Sequence, residues 1–198
     1  MNVYILLDRS GSMSTLWSEA IGSVNGYVTK LKPSTKVHFA AFDSVGYDVV
    51  RECKVKDWVE VSPTELTARG STPLYDACGK VMALAESEAA KKTVVVVMTD
   101  GYENCSHEYT QAAIKAKVKE FEDKKWEVVF LGANFDSVES VSGSVGVALN
   151  KTMNYSAGNF ARGMDALAAS TMSYHATGAT INFDEATKTS LSTSTAQP

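Results

Sequence analysis

Two short apolar runs that each lead into an aspartate constrain the fold of this chain most. Residues 3–7 (VYILL) are followed by Asp8, and residues 94–98 (VVVVM) are followed by Thr99 and Asp100. Continuous apolar runs of this length are typical of parallel strands that are buried on both faces. A helical pattern precedes the second run, which completes a βαβ crossover and places both aspartates at the carboxyl end of one sheet.

Three hydroxyl residues accompany the two aspartates. Asp8, Ser10 and Ser12 form the pattern D-x-S-x-S, and Thr72 stands in the loop that opens a later helix. Hard divalent cations prefer oxygen ligands, and open α/β sheets bind ligands at the carboxyl ends of their strands. The sequence therefore predicts one divalent-metal site formed by Asp8, Ser10, Ser12, Thr72 and Asp100.

A simpler interpretation exists for the first loop taken alone. Aspartate and serine are favoured in turns and at helix N-caps, so D-x-S-x-S by itself is also compatible with capping and no metal. Thr72 and Asp100 stand on two further loops at the same sheet end, and capping alone does not explain suitable oxygens at both positions. The metal site is therefore the favoured interpretation.

The order D-x-S-x-S, threonine, aspartate resembles the metal-ion-dependent adhesion site (MIDAS) of the von Willebrand factor A (VWA) domain family. The resemblance covers about residues 1–175 and implies a doubly wound, Rossmann-like α/β domain. It implies that Ser10, Ser12 and Thr72 can contact Mg²⁺ or Mn²⁺, whereas Asp8 and Asp100 act largely through water molecules. A carboxylate of a protein partner would then fill the open coordination position.

The resemblance also implies that the last predicted helix, over about residues 158–174, can move. In several relatives the last helix shifts along the sheet when the metal site takes a ligand. Here it contains Gly158 and Gly163, which are weak helix formers, and a stripe that mixes Met164 and Met172 with alanines. The helix could therefore slide, and the alternative is that it merely covers the sheet.

The rest of the pattern predicts a mostly parallel sheet of six strands with one antiparallel edge strand and helices on both faces. Residues 37–42 and 47–53 are joined by so short a turn that only antiparallel pairing is possible. The charged, alternating second member of this pair suits a sheet edge. Further strands are expected at residues 126–131 and about 147–155, and helices at residues 16–31, 74–85, 114–121 and 137–142.

The carboxyl-terminal segment has a different composition. From about Ala176 onward, serine, threonine and alanine dominate and no periodicity survives. Residues 181–183 could make one more contact, but a polar segment of this kind is typical of a flexible tail. We therefore expect a domain over residues 1–175 and a flexible tail over residues 176–198.

Composition excludes several classes of function. The formal net charge is −4 and no run of lysine and arginine occurs, which argues against nucleic acid as a partner. No apolar stretch reaches the roughly 18 residues that span a bilayer, and a core strand begins at once without a charged leader. The three cysteines, Cys53, Cys78 and Cys105, are widely spaced, so free thiols and a cytoplasmic location are expected.

The leading functional hypothesis is a protein-binding module rather than an enzyme. A magnesium-dependent phosphatase is the main alternative, but such sites usually need a second carboxylate and a lysine or other acid/base partner, and Ser10 stands two residues after Asp8. A VWA subunit of an ATPase or stress-response complex is a further alternative. Candidate partner contacts on the surrounding loops are Met13, Trp17, Tyr75, Tyr102, Glu103, Asn104, Asn134 and Asp136. Turn or helix-cap chemistry remains the alternative for Asn134 and Asp136.

Overall fold

A single six-stranded sheet forms the centre of the molecule. The computed structural model describes residues 1–133, 135 and 138–192. The strands are β1 (Asn2–Asp8), β2 (Lys36–Phe42), β3 (Tyr47–Lys54), β4 (Thr93–Thr99), β5 (Glu127–Ala133) and β6 (Thr152–Tyr155), in the order β3-β2-β1-β4-β5-β6. Neighbouring strands pair in parallel, apart from the antiparallel pair β2 and β3. The predicted mostly parallel sheet with one antiparallel edge strand is confirmed.

Helices cover both faces of this sheet. They are α1 (Trp17–Thr29), α2 (Leu74–Glu88), α3 (Gln111–Asp123), α4 (Val138–Val145), α5 (Phe160–Thr177) and α6 (Glu185–Ser192). Alternate side chains of β1 serve two cores: Val3, Ile5 and Leu7 pack with α1 and α5, whereas Tyr4 and Leu6 pack with α2 and α3. This alternation is the period-2 geometry of a strand with both faces buried. In the described part of the chain, no helix is both long and apolar enough to cross a membrane.

The register of the central strands positions the two aspartates. β1 and β4 pair so that Leu7 lies opposite Met98. Asp8 and Thr99, the next residue of each strand, therefore lie side by side at the carboxyl end of the sheet, with Asp100 directly after them. All seven residues of β4 are buried, which fixes this register because a slip by one residue would exchange its two faces.

Residues 176–192 differ from the expectation of a flexible tail. α5 extends to Thr177, and α6 forms eight residues later. Ile181, Phe183 and Leu191 are 1%, 3% and 1% exposed and join the core beneath α1 and α5. The sequence allowed one contact at residues 181–183, but no period marks Leu191 or α6, which is why the composition indicated a flexible segment. Residues 193–198 lie outside the described part.

The cysteines are free thiols, as predicted. Cys78 is a buried residue of α2, and Cys53 and Cys105 are partly buried. Burial raises the pKa of the Cys78 thiol to about 12, so this side chain behaves as a small apolar core residue.

α5 approaches β6 closely because Gly163 has no side chain. A Cβ atom at this position would lie 2.3 Å from Cε1 of Tyr155, whose ring is buried in the core. Gly22 in α1 is a matched contrast, since a Cβ atom there would meet nothing within 4 Å. The same residue type therefore has opposite packing roles in the two helices.

We expect alanine substitutions at these two glycines to change stability in opposite directions. Gly163→Ala forces the Tyr155 ring to move and should lower the free energy of unfolding by about 1–3 kcal/mol. Gly22→Ala should raise it by about 0.5–1 kcal/mol, because alanine is the better helix former. Urea denaturation followed by circular dichroism measures both. Equal or greater stability of Gly163→Ala would show that the ring is not fixed by this contact.

Candidate metal centre

The side chain of Asp8 lies at the bottom of the candidate site. Asp8 is fully buried; its Oδ1 atom accepts a hydrogen bond from Ser10 N at 2.7 Å and its Oδ2 atom accepts one from Thr99 Oγ1 at 2.5 Å. Burial raises the pKa of this carboxyl to about 6, although the hydrogen bonds from Thr99 and Ser10 act in the opposite direction. Asp8 makes no ion pair with any residue of the described ranges. A buried carboxylate without a cationic partner is costly unless something else compensates its charge.

The hydroxyls of the first loop connect this carboxylate to the second aspartate. Residues Gly11–Thr15 form a 3₁₀ turn between β1 and α1. Within the loop, Ser10 Oγ and Ser12 Oγ are 3.1 Å apart, and Ser12 Oγ donates to Asp100 Oδ1 at 2.7 Å. Burial also raises the pKa of Asp100 above its ordinary value. The side chains of Ser10, Ser12 and Asp100 thus form one chain of polar contacts.

Gly101 shows that Thr72 belongs to the same cluster. A Cβ atom built on Gly101 would lie 3.3 Å from Thr72 Oγ1, 3.8 Å from Ser12 Oγ and 3.9 Å from Asp8 Oδ2. Oxygen atoms from three separate loops therefore face one point at the carboxyl end of the sheet. The structure brings together all five residues that the sequence singles out for a metal.

Asn104 ties the two loops that carry Thr72 and Asp100. Thr72 N donates to Asn104 Oδ1 at 2.9 Å, and Asn104 N donates to Thr72 O at 3.1 Å. Further along the same loop, Glu103 accepts from Tyr75 N at the start of α2 at 3.0 Å. The loop after β4 is thereby held against the loop that opens α2.

Asp76 strengthens the same attachment. Its carboxylate accepts from the backbone N–H groups of His107, Glu108 and Tyr109 at 2.8–2.9 Å. These bonds hold the pKa of Asp76 below its usual range although burial acts to raise it. The positions of Thr72 and Asp100 relative to one another are therefore fixed by side chains that the metal pattern does not include.

Two predicted partner contacts are corrected by their burial. Met13 is 0% exposed, and its side chain belongs to the core beneath α1. Trp17 is 7% exposed, and its Nε1 atom lies 3.0 Å from both Pro63 O and Leu66 O. Neither side chain is available to a partner, because both are buried in the interior near the start of α1.

The other predicted contacts fall into three groups. Tyr102 is 49% exposed and packs edge-on against Phe135, and Tyr75 is partly exposed. The polar side chains of Glu103 and Asn104 hold the loops together, so they act within the domain. Asn134 and Asp136 lie outside the described residues.

Two further residues of the cluster were missed by the sequence reasoning. Thr99 donates to Asp8 Oδ2 and accepts from Gly101 N at 3.0 Å. Gly101 leaves room at the point that the oxygens face. Both residues flank Asp100 in the tripeptide Thr99-Asp100-Gly101. Their position beside a proposed ligand was the one sequence signal that could have identified them.

The donor set fits a hard divalent cation. It consists of two carboxylates and three hydroxyls without histidine or cysteine, which is the ligand chemistry that Mg²⁺ and Mn²⁺ prefer. The described ranges hold no cluster of three or more histidine, cysteine, aspartate or glutamate residues suited to a metal, and the five-residue set contains two such residues, Asp8 and Asp100. The uncompensated charge of Asp8 is the observation that supports the fit.

Comparison with known proteins identifies the family. The sequence model of the family described as "VWA domain containing CoxE-like protein" matches residues 1–159. The chain belongs to this VWA family. No curated protein matches the chain. α5 and α6 lie beyond the matched residues of this VWA domain.

Solved structures have the same fold at low sequence identity. A von Willebrand factor type A protein from Catenulispora acidiphila has a TM-score of 0.65 and 17% identity over 86% of this chain and 42% of its own. The vWF domain of the pilus tip protein Mfa5 from Porphyromonas gingivalis has a TM-score of 0.68 and 12% identity over 93% and 97%. Proximal thread matrix protein 1 from the mussel byssus, described with a zinc-occupied MIDAS motif, has a TM-score of 0.60 and 14% identity over 84% and 46%. The chain thus spans less than half of the first and third structures.

The hydrogen bond from Thr99 to Asp8 can be tested against a control on the same strand. Thr93 and Thr99 stand at the two ends of β4, and both are buried. The Thr93 hydroxyl has no hydrogen-bond partner among the described residues. In chelator-treated protein we expect Thr99→Val to lower the free energy of unfolding by about 1.5–3 kcal/mol, because a bond to a charged group is lost.

Thr93→Val is the control for this experiment. It should leave stability unchanged or slightly higher, since it removes an unpaired buried hydroxyl. Both values come from urea denaturation under identical conditions. Equal losses in the two variants would contradict a specific role of Thr99 in holding Asp8.

Proposed function

We propose that this VWA domain binds Mg²⁺ or Mn²⁺ through Asp8, Ser10, Ser12, Thr72 and Asp100, and that it captures a carboxylate of a protein partner there. The observation that carries the proposal is the fully buried Asp8 carboxylate, which has no cationic partner in the described ranges and shares its cluster with Ser12 and Thr72. A cation at this point would remove the cost of burying that charge.

The chain's own residues prepare the donors. Thr99 and the Ser10 amide hold the two oxygens of Asp8 in a fixed orientation. Asp100 accepts a hydrogen bond from the Ser12 hydroxyl, so Ser10 is the donor in the Ser10–Ser12 contact and one lone pair of the Ser12 oxygen remains to face the cluster. A bound divalent cation would supply a positive charge that few protein carboxylates compensate, and an incoming aspartate, glutamate or carboxy terminus could then join its coordination.

Binding is favoured over hydrolysis by the surroundings of the two aspartates. A phosphatase site needs a group that stabilises the transferred phosphoryl charge and an acid/base partner. In the part of the chain that the structure describes, no lysine forms an ion pair with Asp8 or Asp100. Hydrolysis of a phosphate ester is therefore the second candidate.

The surface around the cluster would determine which partner binds. Tyr102 is exposed there, and tyrosine is an efficient contact residue. A cleft of about 270 Å³ opens between the β2–β3 turn and the start of α2, lined by Tyr47, Pro73, Cys105 and His107 among others. The match to CoxE-like proteins supports a role as one subunit of a larger complex, and the three free thiols support a reducing, cytoplasmic location.

Calorimetry on chelator-treated protein tests the metal site. We expect one binding event for Mg²⁺ or Mn²⁺, and we expect Asp8→Asn and Asp100→Asn each to abolish or strongly weaken it, because a carboxylate of the donor set is lost. Asp165→Asn is the control, since this exposed carboxylate on α5 pairs with Lys30 and with no other residue of the described ranges. Unchanged affinity in both site variants would refute the assignment.

Partner capture and hydrolysis are separated by a second pair of measurements. Peptide pools that contain aspartate and glutamate should bind the wild-type protein with Mg²⁺ but not with a chelator, and matched pools with asparagine and glutamine should not bind. Para-nitrophenyl phosphate with Mg²⁺ should be hydrolysed no faster than in buffer. Magnesium-dependent hydrolysis that disappears in Asp8→Asn would instead favour the enzyme.

A further inference from the structure

Next to the metal cluster lies a second group of charged residues, formed by Arg9, Asp43, Asp48 and Arg69 and called here the turn cluster. Asp43 begins the turn between β2 and β3, and its side chain is 0% exposed. Its Oδ2 atom lies 2.6 Å from Arg9 Nε in an ion pair and accepts a hydrogen bond from Arg69 Nε at 2.8 Å. Arg9 Nη2 also contacts Asp48 Oδ2 at 2.5 Å.

Arg9 is the residue between two of the proposed ligands, Asp8 and Ser10. Its side chain is 3% exposed and points to the β2–β3 turn. Its backbone is fixed as well, because Arg9 N donates to Phe42 O at 3.0 Å and Arg69 N donates to Arg9 O at 2.7 Å. The turn cluster therefore holds the first ligand loop at its centre.

Arg69 connects the same carboxylate to the loop of Thr72. It directly precedes Gly70, whose carbonyl accepts from Gly11 N at 3.1 Å. Gly70 has a φ of +70°, and a Cβ atom on it would lie 2.6 Å from Ser44 Oγ. Asp43, through Arg9 and Arg69, thus reaches both loops that carry the hydroxyl donors, although the β2–β3 turn supplies no donor itself.

The turn cluster also compensates the positive charge of Arg9, which would otherwise repel a divalent cation. Arg9 places a buried positive charge within a loop that would have to hold a divalent cation, and like charges in a region of low dielectric repel. Asp43 and Asp48 compensate this charge. Burial acts to raise the pKa of Asp43, but the hydrogen bonds from Arg69, Val45 and Gly46 outweigh it and hold the pKa below its usual range, so Asp43 is ionised at neutral pH.

We infer that Asp43 is a positioning residue for the divalent-cation site, acting through Arg9: it holds the backbone between Asp8 and Ser10 in place and neutralises the guanidinium beside them. This inference rests on the proposed metal-binding function. A purely structural role is the competing explanation, because Asp43 Oδ1 also closes the turn by accepting from Val45 N at 2.6 Å and Gly46 N at 3.0 Å.

Asp43→Asn separates the two roles. Asparagine keeps an oxygen that can close the turn, but it removes the charge that faces Arg9. We expect the Mg²⁺ affinity measured by calorimetry to fall on the order of 10–100-fold, as is usual when a group that orients a metal ligand is lost. Asp48→Asn is the matched control on the same arginine; because Asp48 is 51% exposed, its loss should be less than about fivefold.

A double-mutant cycle that combines Asp43→Asn with Arg9→Gln tests whether Asp43 acts on the metal site through Arg9. In the Arg9→Gln background, Asp43→Asn should weaken Mg²⁺ binding much less than it does in the wild type. Arg9→Lys provides a variant that leaves Asp43 intact: it keeps the positive charge but lacks the planar guanidinium, which contacts Asp43 and Asp48 through two separate nitrogens, and it should also lower Mg²⁺ affinity. Unfolding temperatures of the metal-free variants report the purely structural contribution.

The outcomes are distinguishable. If the wild type binds Mg²⁺ and Asp43→Asn binds it equally well, whatever its unfolding temperature, Asp43 only closes the turn and the inference is overturned. An equal loss from Asp43→Asn with and without Arg9 would overturn the route through Arg9, as would unchanged affinity in Arg9→Lys. Absence of binding in the wild type would overturn the proposed function and this inference together.

Discussion

The burial of one uncompensated carboxylate is the constraint on which the rest of the structure depends. Asp8 lies at the end of a central strand with both faces covered, and its oxygens accept from Thr99 Oγ1 and Ser10 N. These bonds reduce the cost of the buried charge but leave it without a counter-ion in the described ranges. The neighbouring loops are organised around this charge: hydroxyls face it, Asp100 stands beside it, and Asn104 and Asp43 hold the loops in position.

The sheet could be predicted from sequence because its signals are local. The apolar runs of β1 and β4 indicate buried parallel strands, and the short turn before β3 permits only antiparallel pairing. The metal residues were found because each follows a strand or precedes a helix, where side-chain chemistry and position can be read together. A motif whose parts are distributed over three loops identifies a metal site more specifically than the residues of any one loop do.

The features that sequence reasoning missed depend on contacts between distant residues. Met13 and Trp17 stand beside the site in sequence, but α1 begins by turning their side chains into the core. The turn cluster joins Arg9 to residues 34, 39 and 60 positions away, and nothing local marks these residues as partners. Leu191 likewise follows no period, and the single contact that the sequence allowed at residues 181–183 did not indicate that the whole segment packs on β6 and α5.

The segment after α5 has a consequence for how this domain can be handled. β6 is a four-residue strand that, among the described residues, pairs with β5 alone, and residues 181–191 bond to residues just before and just after it: Phe183 N donates to Asn150 O at 2.8 Å and Ser156 N to Leu191 O at 3.2 Å. A fragment cut at residue 159 or 175, where family match or composition would place the boundary, would lose these bonds and uncover the apolar core that Ile181, Phe183 and Leu191 cover. Exposed apolar patches promote association between chains, so such a fragment would self-associate, and expression boundaries should include residue 192.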